Sequence, residues 1–368
     1  MCFYSKYKYL PILGLKPAEM LAIEELPEKD KDLILPIFPL RKWANSKQLC
    51  NSIKRIKKSI GNRYWIADID IDFLSLNKGK NNNEAINSLL ELNDSCNGYE
   101  KWISFIKDEK FIIPIALLGD KYQFEYQIDG LTALNRPIAI RFRMSGDFKI
   151  NNEDFNYLFK ILIKKKFVHG LLVILDYGDV SRVNLLDYKK LSILVNAINN
   201  ILGDVFISIS GTSFPYSFSG TYIGEIPIYE RQIFNKVMND CSDVKLIYSD
   251  RASTRALQNN GGFITPPRID YPLKNDWRFI RKDAPSDRTK NQILYQEAAL
   301  DIMNSDYWDI VTPPLWGRQM IEKTAIDDPY GINSPIRATS VRINLHLYQQ
   351  LHYFDDLSEI DTEEDWID

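Results

Sequence analysis

Apolar runs of strand length recur eight times between residues 9 and 250, and most neighbouring pairs are separated by a segment with helical spacing. The runs are Tyr9–Leu13, Leu33–Leu40, Tyr64–Ile71, Phe111–Leu118, Pro137–Met144, Gly170–Asp176, Asp204–Ile209 and Val244–Tyr248. No other feature constrains the fold as much. Parallel strands need long crossovers, and helices supply them. Eight strand-then-helix units predict an α/β chain built as a (β/α)8 TIM-like barrel with a C-terminal extension. The runs are mostly continuous and do not alternate, as in Ile112–Leu118 and Leu171–Leu175. Strands covered on both faces read this way.

The intervening segments supply the helices. Phe155–Ile163 carries an apolar face and is followed by Lys164, Lys165 and Lys166, which suit the negative end of a helix dipole. Asn151 and Asn152 are its candidate caps. Leu185–Leu202 closes at Gly203, and Ser46–Ile60 closes at Gly61. Asn77–Asn97 is polar and rich in Asn, and reads as a loop or poorly ordered insertion before a helix around Tyr99–Lys107. Beyond residue 250 the alternation fades. Pro266–Pro272 reads as extended, while Asn291–Asn304 and Ser340–His352 read as helical. The expected domains are a barrel over 1–260, an extension packed on it over 261–354, and a disordered tail over 355–368. That tail holds eight acidic side chains and no basic one.

A net charge of −3 and a pI near 5.8 argue against a general polyanion binder, while leaving room for a local basic patch. The four cysteines, Cys2, Cys50, Cys96 and Cys241, have no CxxC spacing and read as reduced thiols of a cytoplasmic protein. No signal-peptide stretch opens the chain, and no run approaches the ~18 apolar residues of a membrane span.

In a barrel, polar residues at strand C-termini face the functional mouth. The third strand ends Asp68-Ile69-Asp70-Ile71-Asp72, and a period of two would put all three carboxylates on one side. They have the hard oxygens that Mg²⁺ or Mn²⁺ prefer, so a divalent metal is possible although no metal set is evident. The plainer reading has one of them facing the mouth while the others cap a loop or pair with cations. Arg141 and Arg143 end the fifth strand. They would either clamp a phosphate or carboxylate or join a ring of salt bridges with Asp68, Asp70 or Asp176. Ser210 lies in the small, hydroxyl-rich Ser208–Ser213 stretch ending the seventh strand, and Asp250 ends the eighth. The loops after these two strands bind phosphate in many barrels. Lys16 and Glu19 follow the first strand and are expected on the same rim.

Metalloprotease, Walker, dinucleotide and nucleophile-elbow motifs are absent. The histidines, His169, His346 and His352, form no zinc set, and His346 reads as a hydrogen-bonded packing residue. Trp43, Trp65, Trp277, Trp308 and Trp316 read as packing rather than a base-stacking platform. Hydrolysis through Asp68, Asp70 and Asp176, with Arg141 and Arg143 as anion clamps, stays open.

The two ends of the chain carry a resemblance. Tyr9-Leu10-Pro11-Ile12-Leu13, then Lys16, Glu19 and Ala22-Ile23, resembles the start of the bacterial and prophage "beta protein" family. Leu33–Phe38 resembles that family's second strand, with Pro39-Leu40 in place of its usual acidic end. Tyr248-Ser249-Asp250, Pro267-Arg268-Ile269-Asp270-Tyr271 and Asp276–Arg281 resemble its later strand end and Arg-Tyr…Trp segment. Arg342–Leu347 resembles its C-terminal Asn-His-His-like helix, with leucine at one histidine position. The resemblance adds Arg268 to the candidate residues. It implies a component of a phage-defence or toxin-control cassette, and the first reading of such a component is a binding protein whose barrel mouth engages a protein of the same cassette or a phage component. Alternatives from other classes are a barrel hydrolase, possibly for phosphoesters, and a nucleic-acid-binding protein.

Overall fold

The computed structural model describes residues 3–77, 83–144, 153–218, 220–256, 266–283, 291–308 and 314–356. The expected strands form one parallel sheet from β1 (Tyr9–Pro11), β2 (Ile37–Leu40), β3 (Trp65–Ile69), β4 (Ile112–Ala116), β5 (Ile138–Arg143), β6 (Leu171–Asp179) and β7 (Phe206–Thr212). A short β8 (Ile223–Pro227) belongs elsewhere, and β9 (Lys245–Asp250) completes the set. The order is β1-β9-β7-β6-β5-β4-β3-β2. Parallel bridges at Tyr9–Ile34 and Ile12–Ile37 join the two ends, supported by the Leu35 amide donating to the Tyr9 carbonyl at 3.0 Å. The chain is therefore an α/β TIM-like barrel with helices between its strands.

Strand parity decides what fills the barrel. Leu10, Ile37, Ile66, Ile113, Ile115, Ala139, Leu172, Ile174, Phe206 and Ile247 form one buried interior cluster. Tyr4 and Tyr7, from the turn before β1, join it, and the Tyr4 hydroxyl donates to the Ile138 carbonyl at 2.9 Å. Since Ile138 starts β5, this aromatic pair stops the end where the strands begin. Two residues further along the same inward rows, the apolar side chains give way to Asp68, Arg141, Asp176, Ser208 and Ser249.

The outer helices follow from local sequence. In Cys50–Ile60 the buried Ile53, Ile56 and Ile60 lie at helical spacing, and Gly61 at φ 65° returns its amide to the Lys57 carbonyl. Glu84–Leu92 is helical, where the sequence reads as a loop. Asn83 caps it, accepting from the Ala85 and Ile86 amides, and Ile86, Leu89 and Leu92 give it a buried stripe. The long helix expected over 185–202 is two, Arg182–Leu186 and Tyr188–Leu202. Asn151, Asn152 and the tail beyond 356 lie outside the described residues.

The chain divides into two compact units that interleave along the sequence. The first comprises 1–16, 32–213 and 229–256, and the second 17–31, 214–228 and 257–368. The second unit has its own antiparallel sheet, ordered β10 (Arg268–Pro272), β11 (Asp276–Arg281), β8. Its spine is the helix Pro335–Leu351, buried on nearly every side from Ala338 onward. Such a helix would normally be apolar all round, yet this one carries Arg342, Asn344, His346, Gln349 and Gln350. Several of these polar side chains have partners. Asn344 accepts from the Gly317 amide and donates to the Ala22 carbonyl, both at 3.0 Å. His346 Nδ1 accepts from Trp277 Nε1 at 3.2 Å, with the two rings stacked. His346 is thus the hydrogen-bonded packing residue expected from the sequence. Cys50, Cys96 and Cys241 are free thiols.

Candidate functional site

The polar end of the barrel is built around Arg141. Its guanidinium donates through Nη1 to Asp68 at 2.6 Å and through Nε to Asp176 at 3.0 Å, with Nη2 also on Asp176. Three strands meet here: Asp68 comes from β3, Arg141 from β5 and Asp176 from β6. All three side chains are buried. From beyond β9, Arg251 adds a second guanidinium on Asp176 at 2.7 Å. Burial works against charge on Arg141, but Asp176 and Asp68 outweigh it and hold the guanidinium above its ordinary value. Burial would likewise raise Asp176; Arg141 and Arg251 overcome it and lower the carboxyl to about 2. Arg251 is shifted down, by burial first and by its neighbours Arg141 and Arg143 as well.

The local backbone serves this arrangement. The register of β6 against β7 shifts between Asp176 and Asp179, and Gly178 takes φ 62° there, a conformation that costs glycine least. The Gly178 amide donates to Asp176 Oδ1 at 3.1 Å, which leaves Oδ2 for the two arginines.

The other candidate residues separate. The expectation that Asp68, Asp70 and Asp72 share one strand face is not met, because β3 ends at Ile69. Asp70 instead caps the short helix Ile71–Leu76, accepting from the Phe73 amide at 2.9 Å, and stands 3.6 Å from Arg41. Asp72 lies in that helix and pairs with Arg143 at 3.0 Å on the exposed rim. Ser210 sits inside the mouth, in register with Asp176. Asp250 has the opposite parity to the inward Ile247 and Ser249, and so faces the helix layer. It accepts from the hydroxyls of Tyr9 and Tyr248 and from the Ala252 amide at 2.7 Å. Beside it, Arg231 lies 3.3 Å over the Tyr248 ring. Lys16 is half-buried after β1.

Glu19 and Arg268 belong to the second unit, not to the group around Arg141. Arg268 and Arg342 both bond Asp270, at 3.0 and 2.9 Å. Their planes lie over Phe218 at 3.5 Å and Phe214 at 4.1 Å respectively. The buried Glu19 adds its field to Arg342.

Two residues of the first unit are not among the candidate site residues read from the sequence. Arg251 follows Ser249 at strand spacing, which was its available signal. Glu230 opens the helix Tyr229–Asp240 and is buried. It accepts from the Ser213 amide at 2.9 Å and from the Ser213 hydroxyl. Burial pushes its carboxyl up to about 7, against the Ser213 bonds and with help from the nearby Asp250 charge. Among the described residues, no three His, Cys, Asp or Glu side chains converge as metal ligands.

The Beta protein family profile matches residues 9–352. The chain belongs to the Beta protein family. It is similar to Protein beta of Enterobacteria phage P4, at 28% identity over 361 residues, covering 95% of this chain and 94% of the relative. No solved structure matches. In this member of the family, the segments carrying the resemblance fall on the Tyr9–Asp250 contact and on the Asp270, Trp277, Arg342 and His346 contacts of the second unit. Among the described residues, no helix is long and apolar enough to cross a membrane.

Proposed function

We propose that this protein is a binding component of a phage-defence or toxin-control cassette, and that it engages its partner through the polar end of the barrel. The observation that carries this reading is the state of the mouth carboxylates. Asp68 and Asp176 are both held by Arg141, and Asp176 also by Arg251. A general acid or base works best with a pKa near the working pH, and a carboxyl lowered to about 2 is far from it. The same bonds occupy the oxygens that a metal would need. The network therefore favours recognition over hydrolysis. Its outermost pair, Arg143 with Asp72, is exposed and available to a partner. The family membership supports the phage setting.

The test is phage challenge of cells that carry the gene, with a thermal melt of each purified variant. Arg143→Glu should abolish protection while melting close to wild type, because exposed pairs contribute only about 0–1 kcal/mol. Lys107→Glu, exposed near the opposite barrel end shortly before β4, should protect fully. A fully protective Arg143→Glu variant would contradict the reading. So would phosphoesterase turnover that Asp176→Asn removes.

A further inference from the structure

The inward face of β7 holds polar atoms that the ion-pair network does not use. Ser208 and Ser210 are buried, and among the described residues neither hydroxyl has a hydrogen-bond partner. The same is true of Arg251 Nε. Their positions follow from topology. β7 lies between β6 and β9. Arg251, at the end of β9, bonds Asp176 on β6, so its guanidinium must cross the inward side of β7. Ser210 stands in register with Asp176 at that level, and Ser208 lies one inward step below, in register with Ile247. Buried hydroxyl and guanidinium groups left unmade are costly.

The charges around these donors pair off, Arg141, Arg143 and Arg251 against Asp68, Asp176 and Asp72, with Asp179 also acting on Arg251. Arg141, Arg143 and Arg251 are close enough to repel one another, while the buried carboxylates facing them are Asp68 and Asp176. Asp72 on the exposed rim takes part of Arg143. What the ion pairs leave unused is hydrogen-bonding capacity: two hydroxyls and one N–H, all able to donate. This is the chemistry of an oxyanion site. It also lies where barrels commonly hold phosphate, by the loops after the seventh and eighth barrel strands.

We propose that Ser208, Ser210 and Arg251 form a subsite for one small oxyanion, a phosphoryl or carboxylate group, at the inner end of the mouth. The inference rests on the mouth being the working surface, and it names the chemistry recognised there.

The experiment titrates inorganic phosphate, and separately acetate, into the full-length protein at chloride-matched ionic strength. Calorimetry and melting temperature are the readouts. Phosphate should raise the melting temperature in a saturable manner; a response to acetate alone would assign the site to carboxylates. Ser208→Ala with Ser210→Ala should weaken binding at least about tenfold, the usual worth of hydrogen bonds to a charged group. The ligand-free melt should not fall, because those hydroxyls bond no protein group. Arg251→Lys, which keeps the charge but loses the Nε–H, should weaken binding as well. A wild-type protein indifferent to both anions would overturn the proposal, as would a double variant that binds phosphate equally well. Either result leaves the Arg143 phage-challenge test standing, so the two readings fail separately.

Discussion

Arg141 shows how one side chain organises a barrel end. It carries the only charge on β5 that is fully enclosed, and both carboxylates around it depend on it. Arg141→Ala should cost roughly 3–5 kcal/mol, because it leaves two buried carboxylates with half their partners; urea unfolding would measure it. Replacing Arg141 therefore tests stability, whereas Arg143 tests function. Glu230 poses a different residue-scale question. Its folded value of about 7 lies above the ordinary 4.5, so the fold favours the protonated form. That stabilisation is complete below the unfolded value and is lost as pH rises through the folded one. Wild-type melting temperature should fall between about pH 5 and about pH 7 for this reason, and Glu230→Gln should flatten that part of the profile. An unchanged slope in the variant would place the pH dependence elsewhere. Arg141's partners, Asp68 and Asp176, stand among the three carboxylates the sequence offers it, whereas the shift of Glu230 is not legible there. Sequence shows which charges exist, while three-strand convergence and burial depend on register.

At the scale of elements, the apolar runs were readable because strands enclosed on both faces leave a continuous signal. The end of β3 was not. Asp68-Ile69-Asp70-Ile71-Asp72 alternates like a strand, but Asp70 gains the Phe73 amide by starting a helix, and the alternation stops being structural. Strand β8, Ile-Gly-Glu-Ile-Pro, left little trace, being partly exposed and holding both glycine and proline. The spine helix Pro335–Leu351 was seen only from Ser340 on, since its polar side chains obscure the burial. Asn344 is its test. Asn344→Ala would leave the Gly317 amide and the Ala22 carbonyl unpaired, and should lower stability by about 1–3 kcal/mol. Asn344→Asp keeps an acceptor for Gly317 but loses the donor to Ala22. Both variants should melt below wild type, the alanine variant with no change in the Asp176 environment.

At the scale of the molecule, the strand-and-helix rhythm led to the barrel, and the barrel led to the mouth. The rhythm could not show that residues 17–31 and 214–228, which interrupt the barrel sequence, count with the second unit. Nor could it separate Asp250 from the mouth, because one position of strand parity decides between the interior and the helix layer. If the mouth is a charge-locked recognition surface, Asp176 stays ionised through the physiological range. Carboxyl-carbon NMR of the full-length protein, with Asp176 assigned by loss of its signal in Asp176→Asn, addresses it directly. The Asp176 resonance should show no titration between about pH 4 and about pH 8, as a carboxyl held near 2 requires. A titration midpoint inside that window would contradict the account and return Asp176 to the role of an acid or base.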